Sequence, residues 1–192
     1  MLRARLAGLA LLLACAAGGL GCSRDPDPMP YAIESLAVMP CELRPYDRVG
    51  AAIAGDQITA ALQAGTTFRI VPVQSVARIL GDPSGIQLRE RFRTQALAVG
   101  MIEPALSLNV AQRVGSSGLL FTAISCGLRG QAAGDVSIVM SVFEASTGYR
   151  VWTNNRRRAF QGAPGEPAFV QVVGAMIEDI VANMPRPRGE EP

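Results

Sequence analysis

The chain has 192 residues, of which 49% are hydrophobic, and this suits one globular domain with small appendages. All 18 basic residues are arginine and there is no histidine, which excludes Ser-His-Asp and Cys-His catalysis. Two of the arginines, Arg3 and Arg5, lie in a segment that we expect to be removed, leaving 16 arginines against 16 acidic residues. This balance argues against nucleic acid as a partner.

Residues 1–21 have the pattern of a cleaved export signal. Arg3 and Arg5 precede an apolar run from Leu6 to Leu20, which is shorter than the roughly 20 apolar residues of a membrane-spanning helix. The ending Gly19–Cys22 resembles a bacterial lipobox, in which the cysteine is diacylated and becomes the new amino terminus. We therefore expect lipidation at Cys22 and attachment to the membrane through the acyl chains.

Two alternatives to lipidation at Cys22 stay open. A second lipobox-like stretch ends at Cys15, but cleavage there would leave a very short apolar core, so we favour Cys22. An ordinary secretory signal with an incidental cysteine is the other reading. Ser23, which follows Cys22, resembles the signal that sends lipoproteins to the outer membrane of Gram-negative bacteria. We expect a bacterial outer-membrane location on the periplasmic face.

A short polar and proline-rich segment follows the signal. Residues 22–30 carry no periodicity and predict a tether, which holds the domain close to the membrane. The domain is expected over residues 31–184, and residues 185–192 are predicted to be a disordered tail.

Hydrophobic periodicity predicts an α/β domain. Apolar or alternating runs predict five strands, at residues 35–41, 68–73, 119–128, 136–144 and 149–160. Apolar residues at helical spacing predict helices at residues 49–64, 74–80, 84–98, 105–114 and 169–184. Right-handed crossovers would make the first three strands parallel, with the last two antiparallel at one edge. We predict a five-stranded mixed sheet of order 2-1-3-4-5 with helices on both faces.

Four stretches together resemble a group of bacterial envelope proteins. They are Leu36–Pro40, the helix and strand from Ile53 to Val71, the passage from Pro104 to Phe121, and the hairpin Glu144–Trp152. Similar stretches occur in the curli secretion lipoprotein CsgG, the penicillin-binding-protein activator LpoB and the amino-terminal domain of TolB. The resemblance implies their shared fold, which serves different functions. No segment has the long alternating strands of a CsgG-like pore.

Two arginine clusters are candidate partner surfaces. Arg89, Arg91 and Arg93 lie on a predicted helix, where they form either a solvated face or a docking surface for an acidic partner. Arg156, Arg157 and Arg158 lie on a predicted strand, so their side chains alternate between its two faces. They either protect an edge strand or contact anionic lipid headgroups or the glycan mesh.

The cysteines and carboxylates are candidates for a disulfide, a metal site or a catalytic pair. Cys41 and Cys126 are predicted at the carboxyl ends of neighbouring strands, where an oxidising periplasm permits a disulfide; two buried thiols are the alternative. We expect no metal site, because CxxC spacing and histidine are both absent. A glycosidase would need two converging carboxylates, and the spacing of the available acids suggests no such pair. These acids are Glu42, Asp47, Asp135 and Glu144.

These observations favour a non-catalytic, lipid-anchored envelope protein without a cofactor, acting as an interaction or assembly module for an envelope protein partner. The first alternative is a ring-forming structural subunit of a secretion or motility assembly, which makes a homo-oligomer a second partner class. A carboxylate-based envelope hydrolase is the less favoured alternative.

Overall fold

The computed structural model describes residues 29, 32–44, 48–98, 100–128, 133–161 and 167–187. The predicted signal segment, Cys15, Cys22, Asp47, most of the tether and residues 188–192 lie outside the described residues. Within the described part of the chain, no helix has the length and apolar character needed to cross a membrane.

A mixed sheet of six strands forms the centre of the fold. The strands are β1 (Ser35–Val38), β2 (Glu42–Arg44), β3 (Arg69–Val71), β4 (Gly118–Leu128), β5 (Ala133–Glu144) and β6 (Arg150–Gln161). Their order is β3-β1-β4-β5-β6, and β2 pairs with β4 beyond the end of β1. Strand β1 is parallel to β3 and β4, whereas β4, β5 and β6 form an antiparallel meander.

The observed strand order differs from the predicted 2-1-3-4-5 because the sheet contains an additional strand. Residues 35–41 are predicted as one strand and no strand is predicted at residues 42–44, but β1 ends at Val38 and the chain re-enters the sheet as β2. Pro40 lies in the break, and proline has no N–H to donate to a ladder. The three parallel strands with the antiparallel pair at one edge are as predicted.

Five helices of the described residues cover the sheet. They are α1 (Arg48–Gly65), α2 (Val73–Ile79), α3 (Pro83–Ala98), α4 (Pro104–Val114) and α5 (Pro167–Ala182). Helix α4 begins with Pro104, whose missing N–H costs nothing in a first turn, and ends at Gly115 with a left-handed φ of 70°.

Two apolar cores lie on opposite faces of the sheet, so helices pack on both faces as the sequence predicts. Helices α1 and α5 cover the first face, whereas α2, α3 and α4 cover part of the second. The alternation along β5 explains the first core, because Val136, Ile138, Met140 and Val142 are all fully buried beneath α5. In the second core, the ring of Phe92 on α3 makes an edge contact with Phe143 on β5, with centroids 5.8 Å apart.

The reversal between β5 and β6 explains why its sequence is distinctive. The Glu144 carboxylate accepts hydrogen bonds from the N–H and hydroxyl groups of Ser146 and Thr147, at 2.6–3.0 Å. Gly148 has a φ of 70°, and the carbonyl group of Ile102 occupies the space where a side chain at this position would begin. The hairpin motif therefore has a structural role in this chain. It closes the turn between β5 and β6 and holds the segment before α4 against that turn.

The domain extends beyond the predicted limits at both ends. Met29, predicted within the tether, is 1% exposed, and its N–H donates to the carbonyl oxygen of Arg186 at 3.0 Å. Pro187, predicted within the disordered tail, is buried. Apolar side chains at both ends pack against the first core. Segments as short as these carry no sequence pattern that predicts burial.

Candidate functional site

A cleft opens where the parallel strands end. Helix α1 connects β1 to β3 across one face, whereas the connection from β3 to β4 crosses the other face, so the topology switches beside β1. Ligands of open α/β sheets bind outside the carboxyl ends of strands at such a point. The cleft has a volume of about 700 Å³, and its walls include Met39, Cys41, Val73, Phe92 and Phe121. This volume is within the range of small-molecule sites.

A network of four charged residues closes one side of the cleft, because Glu42 pairs with Arg44, at 3.4 Å, as well as with Arg93. Arg93 Nη1 donates to both carboxylate oxygens of Glu42 at 3.1 and 3.2 Å, and its Nε donates to Glu90 at 2.9 Å. Burial opposes the charge on Arg93, but the two carboxylates outweigh burial and raise its pKa above the ordinary value. The network joins α3 to β2, and it leaves no net positive charge on Arg93 and its two acidic partners.

The arginines at positions 89, 91 and 93 do not share one face of α3, so they do not form the single predicted surface. Arg89 and Arg93 are four residues apart and both line the cleft. Arg91 points elsewhere and pairs with Glu103 at 3.0 Å. Arg89 is half-buried, and among the described residues it makes no hydrogen bond or ion pair, so it is the cation of this set that is available to an anionic group.

The three arginines on β6 are also divided, as the alternation predicts. Arg156 and Arg158 point to the helix-covered face, where Asp179 of α5 lies 2.8 and 3.9 Å from them. Arg157 points to the opposite face and pairs with Asp135 of β5 at 3.2 Å. All three pair with acids of the same domain, and β6 is an edge strand. The arginines therefore match the alternative in which charged side chains protect an exposed sheet edge.

The sheet has a region that none of the described helices covers. Beyond Phe121 and Phe143 the second face of the meander carries Ser125, Ser137, Val139, Asn155 and Arg157, which we call the open sheet face. These five residues share one side because Ser125 pairs with Ser137, Ser137 with Arg157, and Val139 with Asn155. Ser125, Asn155 and Arg157 are exposed, and Ser137 and Val139 are half-buried. No uncovered face was predicted from the sequence, although small polar residues alternate along β4 to β6.

Three of the four acids considered for a hydrolase lie in the described part of the chain, and they do not converge. Glu42 is bound to Arg93, Asp135 to Arg157, and Glu144 to the turn, while Asp47 lies outside the described residues. Asp135 and Glu144 lie at opposite ends of β5, about 30 Å apart along the strand. A glycosidase needs two carboxyl groups about 5–9.5 Å apart.

Of the two states left open for Cys41 and Cys126, the structure has two free thiols and no disulfide between them. Because Glu42 pairs with Ala123, Cys41 is level with Thr122, four residues or about 13 Å from Cys126 along the sheet. Bridged cysteines have Cα atoms within about 7 Å. Burial, reinforced by the Glu42 charge, raises the pKa of Cys41 to about 12, which makes this thiol a poor nucleophile. Among the described residues no group of three Cys, Asp or Glu could hold a metal ion.

Comparisons with known proteins show the fold. No protein-family model and no curated protein matches the chain. Among solved structures, the PelC dodecamer from Paraburkholderia phytofirmans has a TM-score of 0.52 and 14% identity, over 84% of this chain and 94% of that one. Lipoprotein GNA1162 from Neisseria meningitidis has a TM-score of 0.49 and 14% identity, over 78% of this chain and 99% of that one.

The LpoB carboxy-terminal domain from Escherichia coli has a TM-score of 0.44 and 15% identity, over 67% of this chain and 85% of that one. LpoB, whose motifs the sequence resembles, is thus among the similar solved structures, whereas the likeness to CsgG and TolB stays a prediction. At these identities the similarity shows the architecture and leaves the function to be argued from this chain's own residues.

Proposed function

We propose that the protein is a non-catalytic lipoprotein of the bacterial envelope, anchored through Cys22 on the periplasmic face of the outer membrane, and that it docks a protein partner there. The observation that carries the proposal is the short distance in sequence between the lipobox and the folded core. Met29 is buried only seven residues after Cys22. Seven residues span at most about 25 Å, so an acylated Cys22 keeps the domain beside the bilayer.

The open sheet face is the surface that we assign to the partner. Its neighbouring strands present side chains at regular spacing on a rigid antiparallel meander, which suits recognition of another protein. Arg157 lies at the edge of this face and is two-thirds exposed, and it pairs with Asp135 of β5 on the same face, so the surface offers one exposed ion pair among neutral side chains. The arginines at 156 and 158, by contrast, face α5, so only one of the three candidates belongs to this surface.

A photo-crosslinking amino acid placed at Asn155 in the cell tests this assignment. Gln63, exposed on α1 on the opposite side of the sheet, is the matched control position. We expect one protein to crosslink reproducibly from position 155 and not from position 63. Equal crosslinking from both positions, or none from position 155, would contradict docking through the open sheet face.

A homo-oligomer is the second candidate, and the fold similarity to a protein solved as a dodecamer favours it. In this case a second copy of the chain would occupy the open sheet face or the edge strand β6. Size-exclusion chromatography with light scattering on the mature chain separates the two candidates. A mass equal to one chain supports an adaptor, and a multiple of it supports a ring-forming subunit.

A further inference from the structure

The tether joins the domain at one particular end. The amino-terminal ends of β1, β3 and β4 lie level, because Ser35 pairs with Arg69 and Leu36 with Gly118. Met29, six residues before β1, packs at this same end against the segment that follows α5. We call it the tether end. The cleft at the carboxyl ends of β1 and β3 faces the opposite way.

Helix α4 lies across the tether end. Just before the helix, the N–H of Ile102 donates to the carbonyl oxygen of Gly148 at 2.8 Å, in the hairpin between β5 and β6. Just after the helix, the carbonyl oxygen of Gly115 accepts a hydrogen bond from Arg69 Nη2 at 2.8 Å. Both ends of α4 are therefore held at the tether end, one beside β6 and the other beside β3.

Large apolar side chains are exposed on this end. Tyr149 is 51% exposed and Met101 is 44% exposed, and the two residues pair across an antiparallel bridge. Leu108 on α4 is 41% exposed and lines a shallow depression together with Arg69. Arg150 is exposed as well, and its guanidinium lies over Gly100, next to Met101. The end thus combines apolar side chains that water solvates poorly with two arginines, and two exposed acids, Glu34 and Glu103, lie on it as well.

We propose that the tether end rests on the headgroup region of the bilayer that holds the acyl chains. Tyr149, Met101 and Leu108 enter the headgroup region, and Arg69 and Arg150 contact lipid phosphates. Tyrosine is enriched at membrane interfaces because its ring is apolar and its hydroxyl is polar, and basic side chains are attracted to anionic lipids. The inference rests on the proposed anchor at Cys22, because the short tether brings this end to the bilayer at high effective concentration.

Hydroxyl-radical footprinting of the acylated full-length mature protein tests the contact. The protein is placed in nanodiscs of phosphatidylethanolamine and phosphatidylglycerol and compared with the mature C22A chain in solution. We expect modification of Met101 and Tyr149 to be about threefold slower or more in the nanodisc. Ile53 is the control position, because it is 42% exposed but lies far from the tether end. It is 12 residues, or about 18 Å, from the end of α1, where the chain reaches the amino-terminal end of β3. Its rate should not change.

Unchanged rates at Met101 and Tyr149 would overturn the proposal, and so would equal protection of Ile53. A second arm keeps the result separate from lipidation itself. The mature C22A chain is sedimented with vesicles of the same two lipids, beside the variants M101S/Y149S and I53S. We expect weak binding that falls about fivefold or more in M101S/Y149S and is unchanged in I53S. Binding that is absent, or equal in all three chains, contradicts the contact whether or not Cys22 carries lipid.

Discussion

The guanidinium of Arg93 and the carboxylate of Glu42 lie 3.1 Å apart although 51 residues separate them in the chain. The pair joins α3 to β2, the strand that extends the sheet beyond Pro40. The Glu42 side chain is only 14% exposed, and Arg93 compensates for most of its lost hydration, because the second partner, Arg44, is farther away at 3.4 Å.

Removal of Arg93 should therefore destabilise the domain. We expect R93A to lower the free energy of unfolding by about 1–2 kcal/mol, since Glu42 loses both hydrogen bonds from Arg93 and keeps only the longer one from Arg44, at 3.4 Å, while it stays largely buried. R91A is the matched control on the same helix, because both partners of the Arg91–Glu103 pair are at least half exposed. Its effect should stay within about 0.5 kcal/mol. Urea unfolding gives both values, and equal losses would contradict the role of burial.

Two glycines with the same backbone conformation separate backbone strain from crowding. Gly115 and Gly148 both have a φ of 70°, but a side chain would meet nothing within 4 Å at Gly115 and would meet the Ile102 carbonyl at Gly148. G115A should cost about 1 kcal/mol, which is the conformational term alone. G148A should cost about 3 kcal/mol or more, because the hairpin must move away from the segment before α4. Thermal unfolding checks the order, and equal costs would contradict the close approach.

The contribution of Glu144 should depend on pH. Burial acts to raise the pKa of Glu144, but hydrogen bonds from Thr147 and Ser146 outweigh burial and hold it below its ordinary value of 4.5. The stability that the charged carboxylate provides is therefore present above pH 4.5 and is lost as pH falls through the lowered pKa. E144Q should be less stable than the wild type by about 1 kcal/mol at pH 7.

The difference between E144Q and the wild type should shrink as the pH falls below 4.5 and through the lowered pKa of Glu144. Denaturant unfolding at pH 7, 5, 4 and 3 measures it. The stability difference between D135N, which changes a carboxylate at the other end of β5, and the wild type is measured at the same pH values for comparison. A difference for E144Q that stays constant over this range would show that the carboxylate charge does not stabilise the turn.

Thiol reactivity tests the state of the cysteines. Both Cys41 and Cys126 should be alkylated in the unfolded, unreduced mature protein. In the folded protein at pH 8, Cys41 should react last, because burial and the Glu42 charge raise its pKa to about 12. Burial also raises the pKa of Cys126, which should react more slowly than a free thiol but before Cys41. Unfolded protein that takes up label only after reduction would contradict the free thiols.

Local patterns predicted the elements but not the contacts between them. The alternation in β5 and the stripe of α5 follow from one buried face each, so their positions agree with the structure. Strand β2 was missed, because three residues beside a proline carry no periodic signal. The arginine triplet was correctly assigned to two faces, since that depends only on strand geometry.

The partners of these arginines could not be read from the chain. Asp179 lies 23 residues from Arg156 and Asp135 lies 22 residues from Arg157, and only the packing of α5 and the register of the hairpin bring them together. The choice between a disulfide and two thiols, which the sequence left open, could not be made from the chain for the same reason. A disulfide requires that the two cysteines near the strand ends are level, whereas the register places Cys41 beside Thr122. The cleft and the open sheet face likewise depend on where helices stop covering the sheet.

Mass spectrometry of the amino-terminal fragment tests the central claim, that a lipid anchor at Cys22 holds this domain at a bacterial membrane. The protein should be purified from membranes of a Gram-negative host and its amino-terminal peptide measured intact. The account predicts a peptide that begins at Cys22 and carries the mass of the attached acyl chains. A peptide that begins at another residue, or that begins at Cys22 without acyl mass, would contradict it.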